Sequence, residues 1–160
     1  GSGGRWQMWN DDVRWQGDYQ AAGVSQITFD FDNVSGNGTD ANLRIGLFGS
    51  GGGWFVSDAI NVADGSGWQT VGFDLASLNH VAAGGGSGTL SDTLTSVSRF
   101  EILSAANTPS FASSNLLRGD QLVADFRVDN ITAVNAVPEP SATLLMIVGL
   151  GGLVMRRKRN

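Results

Sequence analysis

The sequence predicts an all-β fold: a jelly-roll-like two-sheet β-sandwich, followed by a C-terminal hydrophobic helix. Three observations carry this. Apolar residues recur at every second position in several short segments. Clusters rich in Gly, Ser and Asn separate those segments. No segment before Pro138 sustains a 3.6-residue period, and the one long apolar run lies at the chain end. Period two means strands with one buried face. Strands at this spacing suggest two packed sheets.

The segments follow in order. In Ile27–Asp32 the aromatics fall on one face and Asp30 and Asp32 on the other. Leu43, Ile45 and Leu47 alternate with Arg44 and Gly46, and Val71, Phe73 and Leu75 with Gly72 and Asp74. Phe100 and Ile102 alternate with Arg99 and Glu101. Leu122, Ala124, Phe126 and Val128 alternate with Val123, Asp125, Arg127 and Asp129. After Val128 the apolar phase slips to Ile131, which predicts a β-bulge near Asp129-Asn130. Turns are expected at Ser35–Asn42, Gly49–Gly53, Ala63–Gly67 and Ala83–Gly88.

The end of the chain is a different object. Val137-Pro138-Glu139-Pro140 precedes an uncharged run, Ala142–Met155, and then Arg156-Arg157-Lys158-Arg159. As a helix the run spans about 21 Å. A bilayer core is about 30 Å thick, so on length alone this is a marginal span. Its terminal position, the helix-breaking prolines and the basic stop favour the membrane. Basic residues flanking a hydrophobic segment prefer the cytoplasmic side, which places the domain outside.

Prolines, apolar run and Arg-rich end, in that order, resemble the PEP-CTERM signal. The resemblance implies export, hand-over to an exosortase-type membrane protease and cleavage near Pro138–Pro140. The sorting motif is then Val137, Pro138, Glu139 and Pro140. The transmembrane helix, residues 142–155, anchors the chain transiently, and Arg156, Arg157, Lys158 and Arg159 are its stop. The organisation expected is a sandwich domain over residues 1–135 and a sorting signal over 136–160. The mature protein is expected at the cell surface or in the extracellular matrix. Export requires a leader, and Gly1-Ser2-Gly3-Gly4 is not one, so a missing or processed N-terminal segment is expected.

Composition narrows the domain's chemistry. Cysteine is absent, which excludes disulfides, thiolate catalysis and Cys-ligated zinc. The chain has 15 acidic and 10 basic residues; with Glu139 and the four basic tail residues set aside, 14 and six remain, net −8. Such a domain repels nucleic acid and anionic membrane surfaces.

Gly52-Gly53-Trp54, Gly65-Ser66-Gly67-Trp68 and the closing Phe126–Ile131 strand resemble sandwiches of the carbohydrate-binding-module and galactose-binding-like type. The resemblance implies a possible polysaccharide partner. An indole offers a flat apolar face and a polar N–H to a sugar ring. Trp54, Trp68 and Trp9 are the candidate contacts, the first two because they border Gly-rich loops. In Trp6-Gln7-Met8-Trp9 the two indoles face opposite sides of a strand, so at least one belongs to the core. The same resemblance implies a structural Ca²⁺ at Asp129; otherwise no cofactor is expected. Ca²⁺ needs six to eight oxygens. The bland reading is an Asp that hydrogen-bonds its own bulge.

Signs of catalysis are few. His80 is the only histidine and sits in no motif. Glu101 is the only Glu of the domain, so the Glu-x-Asp-x-x-Glu strand of jelly-roll glycosidases is missing. Asp30 and Asp32 could form a carboxylate pair. The expected function is therefore a non-catalytic, exported sandwich protein that contacts or organises extracellular polymer. A polysaccharide-active enzyme using an aspartate pair is the alternative, with an ice-binding or adhesive module behind it.

Overall fold

The structure is a computed structural model that describes residues 4–34, 36, 38–51, 53–81, 88–111 and 116–136. The sorting motif, the helix over 142–155 and the basic stop lie outside the described residues, as does most of the predicted turn over 83–88. Among the described residues no helix is long and apolar enough to cross a membrane.

The fold is a two-sheet β-sandwich. Strands β1 (Gly4–Arg5), β2 (Gln7–Asn10), β3 (Val24–Asn33), β4 (Ala41–Gly49) and β5 (Gly53–Val56) come first. They are followed by β6 (Ile60–Val62), β7 (Gln69–Asp74), β8 (Asn79–His80), a short helix α1 (Leu90–Leu94) and β9 (Val97–Ser104). The chain closes with β10 (Ser110–Phe111), β11 (Leu117–Arg118), β12 (Gln121–Leu122) and β13 (Phe126–Asn135). The larger sheet runs β2-β9-β4-β5-β8, with β6 on the remaining length of β4. The smaller runs β13-β3-β7. Every pairing is antiparallel.

The alternation read from the sequence sets the core. Ile27, Phe29 and Phe31 of β3 face Leu43, Ile45 and Leu47 of β4 across the sandwich interior, with Phe73, Phe100 and Ile102 beside them. Trp6 closes one end of this core, edge-on to Phe31 and Phe126 at 5.6 and 5.0 Å. Trp9, three residues on, is exposed, as strand alternation requires. The predicted bulge is present: the register of β13 on β3 shifts between Asp129 and Thr132. Asn130 takes φ 51°, which Asn tolerates better than most residues.

Three expectations need correction. Leu75 opens a 3₁₀ turn instead of extending β7. Residues 123–125 interrupt the alternation that begins at Leu122. The third is larger: the outer face of the bigger sheet is not a solvated face. Residues 105–111 and 116–122 return across it, and Phe111 and Leu117 cover Trp54, Val56 and Leu103 in a second small core. Arg44 anchors the start of that return by donating to the carbonyls of Ala105, Ala106 and Ser57 at 2.7, 3.1 and 2.6 Å.

Helix α1 was not anticipated, because five residues cannot display a helical period. Its start is nonetheless written in Thr89-Leu90-Ser91-Asp92. The Thr89 hydroxyl accepts from the Asp92 N–H while the Asp92 carboxylate accepts from the Thr89 N–H. That reciprocal pair is a capping box.

A candidate binding face around Trp9

Trp9 is where exposed aromatic area and polar groups converge. It lies on the edge strand β2, whose register places Met8 against Ile102, Trp9 against Glu101 and Asn10 against Phe100. Trp9 is 51% and Met8 41% exposed. The Arg99 guanidinium sits over the Trp9 ring at 5.4 Å, a cation–π distance. An Asp11 carboxylate oxygen lies 3.9 Å from the same guanidinium.

The next turn is built locally. The Asn10 carboxamide oxygen accepts the Asp12 N–H at 2.7 Å, and Asp12 in turn accepts the Arg14 N–H at 2.9 Å. The Arg14 side chain also donates to Asp12. That pair holds the Asp12 carboxyl below its ordinary range. The turn carries Trp15 onto Phe100, stacked at 5.5 Å and 17°. Between Trp15, Asn10 and Met8 opens a cavity of about 80 Å³, floored by Phe100, Ile102 and Ile131. Pockets that enclose small molecules run to about 300–1,000 Å³. A ligand here would lie on the Trp9 surface and dip one group into the cavity. The patch can stack an apolar ring face, donate from Arg99 and accept at Asp11.

The other candidate residues fall elsewhere. Trp54 is fully buried in the second core, against Phe48 at 5.3 Å and Phe111 at 6.1 Å. The reading of Trp54 as a ligand contact is therefore corrected: its strand entry is Gly-rich, but the returning chain covers its ring. Trp68 is 51% exposed, just before β7. Strand β7 is the edge opposite β13, whereas the cavity beside Trp9 is shared with Ile131 of β13. Trp9 and Trp68 therefore stand at opposite edges of the sandwich.

Asp129 accepts the backbone N–H of Asn130 at 2.8 Å, the local bulge bond. Directly across, Asp30 accepts from the Asn130 amide at 2.7 Å and the Thr70 hydroxyl at 2.6 Å. Those bonds hold the Asp30 carboxyl below the usual carboxylate range. Asp32 is 4% exposed, 3.7 Å from an Arg127 nitrogen, so it does not belong to a solvated polar face. Among the described residues no cluster of three or more His, Asp or Glu is arranged to hold a metal. His80 ends β8 and packs its ring 5.1 Å from Phe55.

The residue that sequence reasoning passed over is Glu101. It is fully buried on the covered face, where one carboxylate oxygen accepts the Leu117 N–H at 3.1 Å. Among the described residues the other oxygen has no hydrogen-bond partner. Burial pushes its pKa up to about 7. The only trace in the sequence lies in the covering segment, where Phe111, Leu116 and Leu117 are apolar without saying which face they cover.

Two comparisons bear on the whole chain and one on its end. No curated protein and no solved structure matches it. Residues 136–159 match the PEP-CTERM protein-sorting motif. The motif begins at the residue after β13 ends.

Proposed function

From that sorting motif, the mark of an exported protein handed to an exosortase, we propose a non-catalytic protein of the cell surface or extracellular matrix. Its sandwich contacts extracellular polysaccharide through Trp9. The carrying observation is the half-exposed indole with Arg99 over its ring and Asp11 beside it. Stacking on indole tolerates many sugars, while the flanking cation and carboxylate orient hydroxyls. The acidic domain favours neutral polymers over strongly anionic ones. Before processing, the apolar run 142–155 holds the chain in the membrane with its basic end inside.

Polysaccharide co-sedimentation tests the Trp9 contact. Trp9→Ala should weaken retention on the bound polymer about tenfold, the effect of losing one central aromatic anchor. Its melting temperature should stay within a few degrees of the parent, because the ring covers little core. Equal retention by the parent and Trp9→Ala would sink the contact. The reading needs no cofactor. Melting in EDTA should match melting in Ca²⁺, whereas a Ca²⁺-dependent rise would put a structural ion at Asp129.

A further inference from the structure

The cavity beside Trp9 adjoins a second and larger cleft, of about 250 Å³. Trp15 lines both, so the two meet at its ring. They lie along the open side of the sandwich, where β2 ends the larger sheet and β13 ends the smaller. Strand β13 supplies Ile131 to the first and Ala133 to the second. At about 3.3 Å per residue these stand roughly 7 Å apart along the strand. Ala133 pairs with the wholly buried Ile27, so its methyl points to the inner side of the smaller sheet, yet it is exposed. A gap is left because the residue is small and faces the turn over 14–22 instead of a strand.

That turn is the facing wall, and it is pinned to α1 and β9. Gly17 and Val97 exchange backbone hydrogen bonds at 2.8 and 3.0 Å, and the Tyr19 N–H donates to the Leu94 carbonyl at 2.8 Å. The Tyr19 hydroxyl donates to the Trp15 carbonyl at 2.9 Å. Asp18 accepts the Ala21 N–H at 2.8 Å, which closes the turn. A ligand is thus spared the cost of ordering either wall. Trp15 and Tyr19 give the cleft apolar area, and the exposed Arg14, Gln16 and Asp18 bring it a cation, an amide and a carboxylate.

We propose that the two cavities are successive subsites of one groove, whose ligand is a linear, neutral polysaccharide lying lengthwise along β13 and bound through an internal stretch of its chain. The inference rests on the reading of Trp9 as a glycan contact and names the form of the ligand. A single sugar or a chain end fills one cavity, whereas a chain of repeating units reaches both. The first cavity alone is small for an enclosed ligand; the pair reaches the low end of the about 300–1,000 Å³ usual for binding sites. The cations of the groove, Arg14 and Arg99, are matched by Asp12 and Asp11 at 3.0 and 3.9 Å. The groove therefore offers no net positive field to an anionic polymer.

Binding as a function of chain length tests the groove. The full chain is titrated calorimetrically with neutral β-glucan, xylan and mannan oligosaccharides of two to eight units. For a series that binds, affinity should rise at least about tenfold from the dimer to the longest member, as the second subsite fills. Ala133→Trp, which fills the cleft, should flatten that rise. Ala22→Trp fills it from the exposed facing wall, leaves β13 intact and should flatten the rise as well, which keeps the test open should Ala133→Trp fold poorly. An affinity independent of length, or an equal rise in the parent and in a folded, filled variant, would overturn the groove and leave the Trp9 contact standing. Trp9→Ala should weaken every length. Should it bind every length as the parent does, the Trp9 contact fails and the single groove with it. Binding of none of the three series contradicts both.

Discussion

Replacing Trp54 with Ala should cost the domain about 3–5 kcal/mol, the range for removing a large buried aromatic. The ring is wholly enclosed, between Phe48, Phe111 and the backbone of Gly46. A domain of ordinary stability has about 5–15 kcal/mol in hand, so the variant should lie near the edge of folding. Urea denaturation followed by circular dichroism measures it. Trp54→Phe should cost far less, because among the described residues Trp54 Nε1 has no hydrogen-bond partner to lose. Trp9→Ala should stay within about 1 kcal/mol of the parent, as for exposed positions generally. The pair separates core from surface: a near-neutral Trp54→Ala that also abolishes polymer retention would restore Trp54 as a contact.

Glu101→Gln should stabilise the domain at pH 8 and change little at pH 4. The Glu101 carboxyl titrates near 4.5 when unfolded and about 7 when folded, with burial the main cause. Its folded proton affinity is raised, so this contribution to stability is complete below pH 4.5. It is lost progressively as pH rises through 7. The loss amounts to about 3 kcal/mol at most. Gln keeps an oxygen to accept the Leu117 N–H and never ionises. Asp12, Asp30 and Asp92, whose carboxyls are held low by hydrogen bonds, act in the opposite sense and weaken the fold in acid. The difference between the parent and Glu101→Gln, read from thermal melts across pH 4–9, isolates Glu101. Parallel curves for the two proteins would contradict the assignment.

What could be read from sequence was what alternation encodes. Ile27, Phe29, Phe31, Leu43, Ile45 and Leu47 declare their faces within a few residues, and both sheets follow from them. The bulge at Asn130 shows as a one-residue slip of phase. Trp6 and Trp9 separate into core and surface by parity alone. The covered outer face does not show, because its cause is long-range. Gly46 accepts Leu117, 71 positions later in the chain, and nothing near Arg44, Gly46 or Glu101 announces a cover. The same return buries Trp54, whose Gly-rich entry otherwise reads as a ligand loop. The tail lay at the other extreme. Proline, apolar and basic residues in a fixed order are a linear signal, legible without any fold, and the motif match at 136–159 agrees with it.

The sorting signal follows directly on the last strand of the sandwich, and the mature C-terminus tests its removal most directly. Intact-mass and peptide analysis of surface-released protein should find a chain ending near Pro138–Pro140, with β13 complete and the apolar run gone. Recovery of the Arg156–Asn160 peptide from the same surface material would contradict removal of the signal.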